Sequence, residues 1–213
     1  MISCVIFDFD GTVADTERLS LEIYNELAEK YGYNKFSEDD VEYLKQNSWA
    51  ALFKASGVPA VKVPKLLREG QSILARKMAE IKPFSHGFAE FISSLRSQLE
   101  LIGVVSSNTR ENIEGFFNSH SIDHPDFIVT ASLFSKASKI NYILKKHRVK
   151  SADTVYVGDE IRDIEAAQKS NVRSACVTWG YNTEAALIEA KPTFLISSFE
   201  ELLSIIKDEN GML

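Results

Sequence analysis

Asp8-Phe9-Asp10-Gly11-Thr12 places two carboxylates two residues apart, directly behind the apolar run 3–7. Gly11 lets the chain turn tightly there and bring backbone N–H groups toward an anion. Asp-Gly alone is a common turn, but an acid pair between a buried strand and a helical stretch is a far more specific pattern. Gly158-Asp159-Glu160-Ile161-Arg162-Asp163 repeats the arrangement behind another apolar run, with Asp163 one helical turn beyond Asp159. Asp163 by itself would suit any helix N-terminus. If parallel topology brings both segments to one sheet edge, Asp8, Asp10, Asp159 and Asp163 converge. Carboxylates so gathered are driven toward protonation unless a cation neutralises them. Oxygen ligands without Cys or a suitable His point to Mg²⁺ rather than zinc.

Two further pieces fit an anionic substrate. Ser106-Ser107-Asn108 follows the apolar run 101–105. A hydroxyl there can donate to a phosphoryl oxygen, and Gly11, Thr12, Ser107 and Asn108 can line the same anion. The competing role is ordinary: Ser, Asn and Thr109 are all good N-caps for a helix from about Arg110. Beyond the run 127–130 stand Lys136 and Lys139, either of which could neutralise the equatorial oxygens of a transferring phosphoryl group. Most of the 24 Lys and Arg residues are expected to be solvated surface groups.

The elements that must position these residues alternate along the chain. Short β-branched or aromatic runs at 3–7, 101–105, 127–129, 154–157, 174–178 and 193–196 read as strands buried on both faces. Between them, 86–98, 139–147 and 161–168 carry apolar residues at helical spacing. The expectation is an α/β fold, a Rossmann-like doubly wound parallel sheet. The stretch 15–82 breaks the alternation. Leu19, Ile23, Leu27 and Tyr31 mark one helix, and Ser37 with Asp40 reads as a capping box for the next. Trp49, Leu52 and Phe53 mark a third, and Pro64 opens a fourth expected to run to about Ile81. Residues 1–14 and 83–213 are therefore expected to form the core, and 15–82 a small all-helical cap over the end of strand 1, where such sheets bind ligands.

Composition narrows the partners. The 213 residues are 45% hydrophobic and 25% charged, in keeping with a soluble globular chain, and the net charge of −6 argues against nucleic acid. Asp8 and Asp10 interrupt the apolar N-terminus too early for a signal peptide, and no run is long enough to span a membrane. A cytoplasmic location is expected. Cys4 and Cys176 lie in apolar stretches and read as buried free thiols rather than a disulfide.

Taken in order, the four motifs resemble those of the haloacid dehalogenase superfamily, in particular its phosphoglycolate-phosphatase-like members with a helical cap. The likeness covers nearly the whole chain. Asp8 to Thr12 matches the first motif fully, Gly158 to Asp163 the fourth, and Ser106 the second. Lys136 suits the third by its distance from Asp159, although the usual Lys-Pro-Asp-Pro run is missing, which leaves Lys139 as the alternative. The resemblance implies that Asp8 is the nucleophile and Asp10 the general acid and base. It implies Mg²⁺ held by the Asp8 carboxylate, the Asp10 carbonyl and Asp159, with Asp163 beside it, and phosphoryl oxygens held by Ser106 and Lys136. It places Lys45-Gln46-Asn47-Ser48 near a cap turn that reaches the substrate, so that Lys45 and Asn47 join the candidate binding residues. The Arg-Gly often found there is missing, which puts phosphoglycolate itself in question. Trp179-Gly180-Tyr181 could border the site, with packing the commoner role for such aromatics.

The implied activity is hydrolysis of a small phosphorylated metabolite by a monomer or homodimer. Asp10 argues against a dehalogenase, which lacks the second acid, and nothing singles out Lys45 or Lys54 as the imine-forming lysine of a phosphonatase. A phosphosugar mutase would need a bisphosphate activator. An inactive phosphate sensor would be expected to have lost one of the four acids, and a receiver-like domain would carry no helical lid.

Overall fold

The computed structural model describes residues 1–46, 54–132 and 135–211. Six parallel strands form one sheet: β1 (Cys4–Phe7), β2 (Leu101–Ser106), β3 (Phe127–Thr130), β4 (Thr154–Gly158), β5 (Arg173–Val177) and β6 (Phe194–Ile196). Their spatial order is β3-β2-β1-β4-β5-β6, the doubly wound arrangement expected from the alternation. Phe7 lies level with Val104 of β2 and Val157 of β4, so the chain leaves all three central strands at one edge. β1 shows why the run 3–7 has no polar side. Val5 and Phe7 point into one core layer, Cys4 and Ile6 into the other. Phe7 meets Phe88, Phe91 and Phe199 edge-on in the first layer. In the second, Tyr156 is fully buried and satisfies its hydroxyl by donating to the Val105 carbonyl at 2.8 Å. Cys4 and Cys176 are buried free thiols, and burial pushes the Cys4 thiol up to about 12.

Between β1 and the next core element come α1 (Glu17–Tyr31), α2 (Glu38–Lys45) and α3 (Val63–Arg76). The Ser37–Asp40 capping box is formed, Ser37 N–H donating to the Asp40 carboxylate at 2.8 Å and Asp40 N–H to the Ser37 hydroxyl at 3.2 Å. The fourth expected helix does not run to Ile81. It stops at Arg76, and a 3₁₀ turn over Met78–Glu80 follows. The helix marked by Trp49, Leu52 and Phe53 lies outside the described residues. The stretch leaves and rejoins the sheet at one place, with Asp15 N–H donating to the Lys82 carbonyl and Phe84 N–H to the Val13 carbonyl. Among the described residues no helix is long and apolar enough to cross a membrane.

The remaining helices are α4 (Phe88–Arg96), α5 (Arg110–Ser119), α6 (Lys136–His147), α7 (Ile161–Lys169), α8 (Glu184–Glu189) and α9 (Phe199–Glu209). α6 begins three residues earlier than its apolar pattern suggests. Lys136 shares a face with the buried Ile140 and Ile143 and is itself buried, so a polar letter hides the first turn.

Candidate active site

Asp8 is 1% exposed at the end of β1, its N–H held by the Val157 carbonyl. Lys136, 3% exposed, reaches across from α6 and donates to both the Asp8 and Asp163 carboxylates. Burial pulls the lysine's pKa down, but Asp163 and Asp8 outweigh it and hold the ammonium above its usual range. Lys139 lies one helical turn along and makes no such contact; of the two candidate lysines, the structure brings Lys136 to the acids.

Among the described residues, three carboxylates bring oxygens close enough to serve one ion, and one of the three is a glutamate. The group whose oxygens lie within 4.8 Å of one another is Asp8, Glu160 and Asp163. Asp159 sits against this group with its carboxylate turned aside, accepting from the Thr12 hydroxyl at 2.7 Å and the Tyr181 N–H at 2.8 Å. The glycines on either side make room for it. Gly11 has φ +77° and Gly180 faces the Asp159 side chain, and a Cβ at either would come within 2.2 Å of an Asp159 atom. Glu160 is drawn inward by its place at the head of α7, where it forms a reciprocal cap with Asp163. Arg162 then holds Glu160 in a two-pronged ion pair, Nε to Oε2 at 2.9 Å and Nη2 to Oε1 at 2.6 Å.

Asp10 is bound differently. The Asn108 side-chain amide donates to both of its carboxylate oxygens, at 3.0 and 3.1 Å. Burial, with the neighbouring Asp8 charge, pushes the Asp10 carboxyl up to about 6. Burial likewise raises Asp163 to about 6, with Asp8 and Glu160 adding to the effect and Lys136 opposing it; Asp159 is raised further by burial, Glu160 and Asp163. Five carboxyl groups thus share the site with two cations, Lys136 and Arg162. That excess of buried negative oxygen suits a hard divalent ion.

Thr109, not Asn108, caps α5, its hydroxyl accepting from Asn112 N–H at 3.2 Å. This leaves the Asn108 side chain for Asp10. Ser106 accepts from Asn108 N–H at 3.2 Å, so its hydroxyl proton is available to a ligand. Gly11 and Thr12 border the site through Asp159, and Ser107 lines the cavity described next.

Above these groups lies a cavity of about 600 Å³, bordered by Asp10, Ser107, Lys136 and Arg162 below and by Gln71 and the apolar faces of α1 and α3 above. Lys45 also lines it, paired with Glu17 at 2.7 Å. Asn47 and Ser48 lie outside the described residues. Tyr181 faces the cavity, whereas Trp179 packs on Phe199 and donates its indole N–H to the Thr12 carbonyl at 3.1 Å. Glu160, Arg162, Asn112 and Gln71 join the site although the sequence pattern does not mark them for it. Glu160 and Arg162 stand inside the fourth motif, whose pattern is carried by its glycine and aspartates.

Residues 5–177 match the family model described as haloacid dehalogenase-like hydrolase. The chain is 31% identical to a phosphoglycolate phosphatase of Synechococcus elongatus, over 96% of this chain and 97% of that protein. It is 24% identical to the pyrophosphatase PpaX of Bacillus thuringiensis, over 98% of each. A haloacid dehalogenase-like family hydrolase of Streptococcus pneumoniae superposes with a TM-score of 0.78 at 18% identity, covering 96% of this chain and 98% of that one, a likeness of fold. With the motifs gathered at one sheet edge and the match running along most of its length, the chain belongs to the haloacid dehalogenase-like hydrolases.

Proposed function

We propose that the protein is a Mg²⁺-dependent phosphatase that hydrolyses a small phosphate monoester through an aspartyl phosphate on Asp8. The observation that carries this reading is Asp8 itself, a buried carboxylate at a strand end, beside a buried lysine and within reach of a second acid held by an amide. The phosphatase relatives support the reading. Asp8 and Asp163, with Glu160 and Asp159 close by, would hold the ion, which would neutralise charge on the phosphoryl oxygens.

In the first step an Asp8 oxygen bonds to phosphorus as the ester P–O bond breaks, and the Asp10 carboxyl gives its proton to the leaving alcohol oxygen. In the second, water attacks phosphorus, Asp10 takes its proton, and the bond to Asp8 breaks, releasing phosphate and restoring both acids. Lys136 and the Ser106 hydroxyl bind the phosphoryl oxygens. The cavity walls choose the leaving group.

The test is a panel of phosphorylated metabolites, with inorganic pyrophosphate included because of the pyrophosphatase relative. Wild-type protein should release phosphate from at least one compound with Mg²⁺. Asp8→Asn or a chelator should abolish release. Undiminished turnover by Asp8→Asn would contradict the reading.

A further inference from the structure

A chain of amides runs from the cap to Asp10, and its polarity is fixed at one end. Thr109 N–H, which can only donate, points at the Asn108 side-chain oxygen at 2.8 Å. That oxygen therefore faces the backbone and the Asn108 nitrogen faces Asp10. The same oxygen accepts from Asn112 Nδ2 at 2.8 Å, so Asn112 in turn must present its nitrogen. The second proton of that nitrogen meets two Gln71 acceptors, Oε1 at 3.1 Å and, farther off, the main-chain carbonyl at 3.5 Å. Asn108 and Asn112 are 0% and 4% exposed, so water does not compete readily for these bonds. Asn112 belongs to α5 of the core and Gln71 to α3 of the cap. Each link leaves one orientation for the next.

We propose that Gln71 and Asn112 are positioning residues for leaving-group protonation: they lock the Asn108 amide, and Asn108, bound to both Asp10 oxygens, locks the plane of that carboxyl. A cap residue with no place among the phosphoryl ligands thereby helps to set the acid. The inference rests on the reading of Asp10 as the proton donor. Loss of Gln71 Oε1 leaves the Asn112 amide only the longer contact to the Gln71 carbonyl, so Asn112 orients Asn108 less firmly and the Asp10 carboxyl gains freedom to rotate away from the leaving oxygen.

The experiment measures kcat/KM with Mg²⁺ across substituted phenyl phosphates of graded leaving-group basicity. A well-placed acid makes the rate insensitive to leaving group. General acids contribute roughly 10²–10⁴-fold, most of it on poor leaving groups. Wild type should give a shallow slope and Asp10→Asn a steep one. Gln71→Met, similar in size but without the acceptor, should steepen the slope, losing about tenfold or more on the most basic phenols relative to p-nitrophenyl phosphate. Gln71→Glu keeps an acceptor for Asn112 and should restore the shallow slope. Melting temperatures of both Gln71 variants check that they fold, and Asn112→Leu provides a second break in the chain. A steep slope for Asp10→Asn with a wild-type slope for Gln71→Met and Asn112→Leu would overturn the positioning role alone. An unchanged slope for Asp10→Asn, or no wild-type turnover, would overturn the reading beneath it.

Discussion

Lys136 serves two buried acids at once. Removing one member of a buried charge group leaves the others uncompensated, at a cost of about 3–5 kcal/mol. Lys136→Ala should lose about that much stability in chelator, measured by urea unfolding, and about 10²-fold or more in phosphatase turnover, the scale for loss of one fixed charge-stabilising donor. Lys139→Ala should stay within about 0.5 kcal/mol of wild type. The opposite ranking would move the anion-binding role to Lys139. In the sequence the two lysines differed only in spacing, because a buried lysine and a solvated one are spelled alike. Asp8, Asp10 and Asp163 were legible only as a set, two acids behind one buried strand and another one turn beyond Asp159 behind a second, since Asp163 alone would suit any helix N-terminus. Glu160 was not. Its inward turn depends on the reciprocal cap with Asp163 and the ion pair with Arg162, which three-dimensional contact alone reveals.

At the scale of elements, the helix heads decide which polar groups remain for chemistry. Thr109 caps α5 and so releases the Asn108 side chain for the site. Thr109→Ala should cost about 1 kcal/mol in urea unfolding, the usual value of an N-cap hydroxyl. A change below a few tenths would show that another group caps the helix and that the division of labour is wrong. The strands were readable because burial on both faces leaves continuous apolar runs. Helix limits were less so: α3 ends at Arg76 where the apolar spacing continues to Ile81, and α6 starts inside a turn whose buried member is polar. The Gln71–Asn112–Asn108–Asp10 chain left no trace, since it joins three separate elements and amide side chains carry no periodic signal.

For the whole molecule, the site is a store of buried negative charge. Asp10 and Asp163 titrate near 6 in the folded protein, against ordinary values of 3.8, so between pH 4 and 6 the folded state binds more protons than the unfolded one. Stability contributed by these groups therefore falls as pH rises through that window and stays low above it. A divalent ion competes with those protons. Mg²⁺ at about 100-fold excess over its Kd should add about 2.7 kcal/mol at pH 7. For a chain of this length that is roughly 5–10 °C in Tm, with a much smaller shift near pH 4.5. An equal shift at both pH values, or none, would mean that the ion does not bind through these carboxylates. The helices that follow β1 bear on the same site. Asn182 donates to the Lys45 carbonyl at 2.8 Å and accepts from Ile161 N–H at 2.9 Å, tying the end of α2 to the head of α7. The most direct measurement is chemical capture of the intermediate. Protein mixed with a cleavable phosphate ester and Mg²⁺, quenched within one turnover and reduced with borohydride, should carry homoserine at position 8, identified by peptide mass spectrometry and missing when Mg²⁺ is chelated. Turnover that proceeds with Asp8 unmodified at every quench time, or reduction of a different carboxylate, would show that phosphorus never bonds to Asp8.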